Sequence, residues 1–560
     1  MSQANSILST RKLPFGVQSF KQLREGNYVY IDKTDVIWKV AHGPVSQFIA
    51  RPRRFGKSLM ISTLKSYFQG DGHLFEGLKV EQLRAAAGET EWVKHPTFFF
   101  GFSSSSYNQK SDVYNICTFF LQQYEKEYQL PSEGPLGKRM LTLIRTAYQQ
   151  TGIKPVILVD EYDNPITDTI TPDQQELHLY YKSELRGFYK AIKESGEFLH
   201  MVVVTGITQF AELSLFSGAN SILNQTFNPE YAALCGITEE ELKEGFRPEI
   251  EELAERENTD FEGAVKILRG YYDGYRFTSA PLHVYNPQSL IYCFYQHELS
   301  NNWSETGMSA LLATVFPSYT FDFHLLTRDI IIHKEDLKKL DFTGRNPIPL
   351  LFQSGYLTIK DYDTRSLILT LAFPNHEVVY NFWNVLLDIF SAPRMGLGYP
   401  GRPTSFQVAL MRGSIDAAMG ELLALIAGIP YSAVGQQRTQ PLDQLPNEEK
   451  REEARAKVYE QLFQVALYAW FAALGCDVRT EMHSLHGRSD VVLDMPEAIY
   501  IFELKLTQGQ ETGASALAQI KEKHYADPHR AKGKPIFGIG AAFDTRRDTR
   551  GECDWGWEEL

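Results

Sequence analysis

The stretch Arg51-Pro52-Arg53-Arg54-Phe55-Gly56-Lys57-Ser58 constrains this chain more than any other. It follows the largely apolar run 45–50 and opens the stretch 59–69. It therefore reads as a strand, a tight basic loop and a helix carrying Lys and Ser in its first turn. Such a helix start aims several free backbone N–H groups and a partial positive charge at one spot. Phosphate oxygens fit there. Lys57 is expected to reach the outer phosphates and the Ser58 hydroxyl to hold a magnesium ion, with Arg53, Arg54, Phe55, Gly56 and Leu59 completing the cradle. The spacing matches G-x-x-x-x-G-K-[ST] except at its first position, where Arg51 stands in place of glycine. That glycine normally permits a close wrap around the β-phosphate. The three arginines either substitute charge for closeness or weaken binding.

Downstream, 155–159 is a short β-branched apolar run, typical of a strand buried on both faces, and it ends in Asp160-Glu161. At such a strand tip one carboxylate holds the magnesium ion, often through water, and the next polarises the attacking water. Asp160 takes the first role and Glu161 the second. A further apolar run, 200–204, ends in Thr205-Gly206-Ile207-Thr208, where Thr205 is placed to sense a γ-phosphate. Another buried strand is expected at 97–102, and helical stretches separate all these runs. That alternation predicts a parallel α/β sheet. Ahead of the loop, the cluster Tyr28, Tyr30, Asp32 and Lys33 either packs against the nucleotide, or Tyr28 and Tyr30 form one buried face of an edge strand.

Composition sets the frame for the rest. A chain of 560 residues should hold about three or four domains. Its 43% hydrophobic and 13% aromatic content permits substantial cores. A net charge of −13 argues against indiscriminate coating of nucleic acid but leaves room for a local basic groove. The five cysteines lack C-x-x-C spacing, so neither a disulfide framework nor a zinc site is indicated. With no signal-like N-terminus and no apolar run of spanning length, the expected location is the cytoplasm and no membrane is expected as a partner.

Residues 231–300 read as helices with acidic, solvated faces, suited to a lid. A helix over 349–355, closed by Gly355, and a hairpin over 356–373 form a winged-helix-like pattern that either contacts DNA or packs intramolecularly. Helices are expected at 377–390 and 406–427. The polar, Gly- and Pro-bearing stretch 435–447 reads as a linker.

Beyond it the chemistry changes. A long helix over 449–474 precedes a strand near 478–481, then Gly487-Arg488-Ser489-Asp490-Val491-Val492-Leu493, a turn at 495–497, and Ile501-Phe502-Glu503-Leu504-Lys505. A hairpin through that turn brings Asp490 and Glu503 together. Glu503 and Lys505 are two apart, so they share a face. Two convergent carboxylates make a hard-oxygen site for magnesium or manganese. The lysine is suited to orient or deprotonate water, or to steady a pentavalent phosphate.

The strings Y-I-D-K-T, R-P-R-R-F-G-K-S-L, L-V-D-E-Y-D-N-P and V-T-G-I-T-Q-F, together with Tyr272-Asp273-Gly274-Tyr275, closely resemble the AAA-ATPase-like family that commonly precedes a PD-(D/E)XK nuclease-like domain in bacterial proteins. The resemblance covers most of 10–290, and that family tolerates a non-glycine residue at the first loop position. It implies an α/β fold class: a P-loop ATPase core of the additional-strand type with a parallel sheet (1–230), a helical lid (231–300), a winged-helix-like and helical region (301–434), and, beyond the linker, a C-terminal restriction-endonuclease-like α/β domain (448–560). G-R-S-D-V-V-L and I-F-E-L-K-L resemble the nuclease superfamily, with Ser489 where a proline is usual. By that resemblance Glu460 is an accessory metal or water ligand, and Gln519 and Lys523 sit beside the scissile phosphate. The implied function is ATP binding and hydrolysis coupled to a metal-dependent DNA endonuclease, in phage or mobile-element defence. The alternative is a nucleotide-switched signalling or DNA-binding module with an inert nuclease fold. The expected cofactors are ATP and Mg2+ or Mn2+, and the expected partner is DNA. A homo-oligomer is an open option, with Arg247 and Arg276 as candidates for an arginine acting in trans.

Overall fold

A computed structural model describes residues 11–103, 106–208, 222–301, 329–338, 346–391, 403–427, 479–480, 488–507, 510–544 and 552–560, with Leu312, Val315, Phe316, Leu325, Leu326, Leu340, Trp470 and Phe471. At 172, 338, 387–391, 403–404, 425–427, 479–480, 488–490 and 506 only the backbone is described. Two compact units emerge, one built from Met1–Leu311, Asp329–Phe342 and Pro347–Glu377, the other from Leu312–Arg328, Thr343–Asn346 and Val378–Leu560.

The first unit is built on β1 (Ser46–Ala50), β2 (Thr97–Gly101), β3 (Val156–Asp160), β4 (Met201–Gly206) and the short β5 (Leu223–Asn224). All pair in parallel, in the order β2-β3-β4-β1-β5. β4 therefore stands between the strand that enters the phosphate loop and the strand that ends in Asp160. Every residue of β3 and β4 is buried, which is why both read as unbroken apolar runs. Helices Ser111–Glu127, Leu136–Thr151 and Gln175–Glu194 contribute to the core against the sheet. Arg139 and Glu125 form a buried two-pronged ion pair between the first two, at 2.8 Å on each prong.

Helices Glu239–Gly245, Arg247–Arg256, Phe261–Tyr272 and Pro287–Gln296 carry a separate core that also takes in Val29. Thr238 caps the first of them in a reciprocal box with Glu241. The helix Ile348–Ser354 ends at Gly355, whose φ of +90° suits a left-handed cap. β7 (Thr358–Asp363) and β8 (Ile368–Ala372) form the expected hairpin. A strand the sequence did not announce, β6 (Ile330–His333), pairs antiparallel with β8.

In the second unit β9 (Arg479–Thr480), β10 (Arg488–Asp494), β11 (Ile499–Thr507), β12 (Ile536–Asp544) and β13 (Cys553–Glu559) form a mixed sheet in the order β13-β12-β11-β10-β9. On one face Phe406 and Phe471 pack against Phe502, and the Tyr500 hydroxyl donates to the Leu410 carbonyl. On the other, helix Gly513–Glu522 covers the sheet, with Ile520 against Ile499 and Ile501. Gly540 permits this approach, since a Cβ there would lie 2.4 Å from the Gly513 carbonyl oxygen. The helix expected at 406–427 is two helices, Pro403–Met411 and Ile415–Ala427. Gly413, at φ +69°, turns the chain between them. The expected linker 435–447 and nearly all of the helix at 449–474, Glu460 included, lie outside the described residues.

Candidate functional site

The phosphate loop turns through Arg54 and Gly56, both at positive φ (65° and 95°), into the helix Lys57–Gln69. Lys57 is buried, and its ammonium donates to the Pro52 carbonyl at 2.9 Å. Burial pushes that ammonium's pKa down, and Glu161, Asp160 and Asp163 oppose the shift. Asp160 is buried and pushed up to about 6 by desolvation, against a hydrogen bond from Ser58 and the charge of Lys57. Its Oδ1 has no partner. Glu161 occupies left-handed backbone (φ +51°), a strained setting for a non-glycine residue. The Asn164 amide donates to its Oε2 at 2.9 Å. Thr205 is fully buried, with its hydroxyl unpartnered, at the tip of β4.

A cleft of about 620 Å³ is lined by Arg53, Arg54, Phe55, Gly56, Lys57, Ser58, Leu59 and Glu161, and also by the apolar Val17, Leu234, Ile237 and Ile291. Asp160 and Thr205 do not line it; Asp160 is reached through Ser58. Tyr30 and Lys33 do line it, while Tyr28 makes only an isolated bridge with Lys12. The edge-strand option for this segment therefore falls. Unsatisfied oxygens beside a Lys, a Ser hydroxyl and two carboxylates suit a triphosphate with its magnesium ion.

Arg51 does something else. Its side chain is buried, donating to the carbonyls of Ala50, Thr226 and Tyr231 at 2.8–2.9 Å and stacking on Phe277. It fastens the loop from behind rather than substituting charge for closeness. Arg276 is likewise committed, its guanidinium held by the carbonyls of Thr278, Ala280 and Ser279. That geometry removes it as an arginine acting in trans. Arg247 is exposed and paired with Glu251.

In the C-terminal sheet the β10–β11 register sets Asp490 directly opposite Glu503; of Asp490 only the backbone is described. Glu503 is fully buried, and among the described residues neither carboxylate oxygen has a partner. Such a group is costly to keep in a protein interior. A divalent ion relieves that cost, so the residue fits a metal, and Asp490 holds the register position opposite it. Among the described side chains no group of three His, Cys, Asp or Glu is clustered to hold a metal by itself. Lys505 is buried on the face of Glu503, but its ammonium pairs with Glu511 at 2.9 Å. Gln519 is half-buried on the covering helix. That helix brings its first turn, Gly513, to the level of Gly540, the register partner of Glu503. The sequence also places basic residues behind the motif (Lys521, Lys523, His529, Arg530, Lys532 and Lys534), and these do not gather at Glu503. Lys532 and Lys534 pair with Asp494 at the turn end of the hairpin, Lys521 pairs with Glu558, and Lys523 is exposed.

Two family models match this chain: predicted AAA-ATPase over residues 14–216, and the PD-(D/E)XK nuclease superfamily over 458–553. The chain is 31% identical over 558 residues to an uncharacterized protein in the vnfD 5′ region of Azotobacter chroococcum mcd 1, covering 99% of this chain and 100% of that protein. The chain belongs to the predicted AAA-ATPase family with a C-terminal PD-(D/E)XK nuclease domain. No solved structure matches it.

In this AAA-ATPase-like chain the ATPase match takes in β1 to β4, and the nuclease match takes in β9 to β12. No helix among the described residues is long and apolar enough to cross a membrane. Sequence reasoning missed three residues beside these sites: Asp163, Asn164 and Glu511. Asp163 Oδ2 accepts the backbone N–H groups of Ile207 and Thr208 and the Thr208 hydroxyl at 2.6–3.0 Å, fastening the exit of β4 to the Glu161 turn. The readable signal was the second aspartate of D-E-Y-D-N, set in a turn too short to leave it in solvent. Glu511 follows β11 with no motif around it.

Proposed function

We propose that this protein binds and hydrolyses ATP in the cleft of its first unit and uses it to control magnesium- or manganese-dependent cutting of DNA by its C-terminal sheet. The observation that carries the reading is Glu503: a fully buried carboxylate with both oxygens unpartnered, a lysine two residues on, and Asp490 across the register. An inert fold gains nothing from such a group.

In the cleft, Lys57, Arg53 and Arg54 bind the phosphates, and Ser58 with Asp160 would hold the magnesium ion. Asn164 steadies Glu161, which takes a proton from the attacking water. Thr205, whose carbonyl accepts the Tyr162 N–H of the same turn at 3.1 Å, reports the state of the γ-phosphate to the segment after β4. In the sheet, Asp490 and Glu503 would hold the ion, Lys505 steadies the charged phosphate, and Gln519 contacts the DNA backbone. A bound ion supplies charge neutralisation and an acidified water at each site.

The test is nicking of supercoiled plasmid by the full-length protein with manganese or magnesium, with and without ATP. Wild type should nick and Glu503→Gln should not; an inactive wild type under every condition refutes the nuclease reading. Defence against phage or mobile elements belongs to the same proposal. Plaque counts on cells expressing wild type or Glu503→Gln test it.

A further inference from the structure

Past the end of β11 the chain folds back on itself. The Thr507 hydroxyl accepts the backbone N–H groups of Gln510 and Glu511 at 2.9 Å each. This carries the Glu511 carboxylate over the sheet. Its Oε2 lies 2.9 Å from the Lys505 ammonium and accepts the Ser515 hydroxyl at 2.8 Å. Ser515 belongs in turn to the capping box that starts helix Gly513–Glu522. The carboxylate is therefore fixed from two sides, and one of its oxygens serves both donors.

Lys505 is 5% exposed, so its ammonium needs a counter-charge inside the protein. Glu503, two residues earlier on the same face, is a candidate for that role. Yet among the described residues both its oxygens are without a partner, and the ammonium lies on Glu511 instead. Across the register, Lys505 faces Arg488 on β10 and Ala542 on β12, neither of which carries a negative charge. Glu511 thus separates two tasks: it neutralises the lysine and leaves both Glu503 oxygens to another ligand.

We propose that Glu511 is a positioning residue for DNA cleavage, holding the Lys505 side chain in place beside the Glu503 site. This rests on the nuclease reading of that site. Removing Glu511 leaves a buried ammonium without its partner, which then swings to solvent or collapses onto Glu503.

The experiment uses full-length protein with ATP and manganese, comparing wild type, Glu511→Ala, Glu511→Gln, Lys505→Ala and the Glu511→Ala/Lys505→Ala double variant. Loss of an outer positioning partner at a metal site typically costs about 10–100-fold. Plasmid nicking should fall by that factor in both Glu511 single variants, since Gln keeps the acceptor for Ser515 but not the charge. The double variant should be no slower than Lys505→Ala, because the two residues act as one. Manganese should raise the melting temperature of every variant as it does that of wild type. A double variant slower than Lys505→Ala by the full Glu511 factor would assign Glu511 a merely structural role and overturn the proposal. A second readout needs no nuclease activity: acylation of Lys505, followed by mass spectrometry, should speed up several-fold in Glu511→Gln. Unchanged acylation overturns the positioning role even where wild type fails to nick, an outcome that by itself would count only against the nuclease reading.

Discussion

Lys57 and Glu503 are both buried ionic side chains at candidate sites, yet their surroundings differ. Lys57 has the carboxylates of Glu161, Asp160 and Asp163 nearby and a carbonyl, that of Pro52, at 2.9 Å. Glu503 has no partner for either oxygen. The cleft of the first unit holds its charges balanced by its own residues, so it stands ready and a nucleotide exchanges one set of partners for another. The sheet of the second unit keeps a charge in reserve for an ion. A mutation should therefore act on ligand affinity in the first region and on both affinity and ligand-free stability in the second.

The sharpest way to break that contrast is Lys57→Ala. Losing charged hydrogen bonds worth about 1.5–3 kcal/mol each should weaken ATP binding by roughly a hundredfold or more, measured by titration calorimetry. Binding as tight as wild type would contradict the cleft assignment. Glu161→Gln should by contrast keep binding and lose turnover, seen as phosphate release falling to background.

Next in size is Asp163→Ala. It strands the N–H groups of Ile207 and Thr208, at a cost of about 2–4 kcal/mol. Denaturant unfolding of the first unit should move by that amount, with no change in the manganese response of the second.

What could be read from the sequence follows the same division by range. β3 and β4 were legible because burial on both faces leaves an unbroken apolar run. The pairing of Asp490 with Glu503 was legible because a short turn fixes a hairpin register. The role of Arg51 was not, since its partners Thr226 and Tyr231 lie 175 and 180 positions along the chain. β6 was missed because a strand this short, with Ile331 exposed, exists through its pairing with β8. Glu511 was invisible for a related reason: it meets Lys505 only after the Thr507 turn has formed. The break at Gly413 was present in the sequence and was read past.

The smallest effect concerns pH. His95 and His200 stack at 4.2 Å. Desolvation by the groups packed around them, and for His200 also the neighbouring imidazole, hold both below their ordinary value, His200 at about 4 although one side of its ring stays open to water. The folded protein then binds fewer protons than the unfolded chain, so stability is lost as pH falls from 6.5 towards 4. Because His200 is exposed to solvent, the loss is modest. His200→Gln should soften the acid decline of the melting temperature by ~2 °C.

The most direct test of the reserved charge is the melting temperature of wild type and Glu503→Gln as manganese is titrated in. The neutral variant removes an unpaired buried charge, so without metal its second unit should be more stable than wild type by about 1 kcal/mol or more. Manganese should then raise wild type and leave Glu503→Gln unmoved, so that the two curves cross. A Glu503→Gln protein that is less stable without metal and still responds to manganese like wild type would contradict the account.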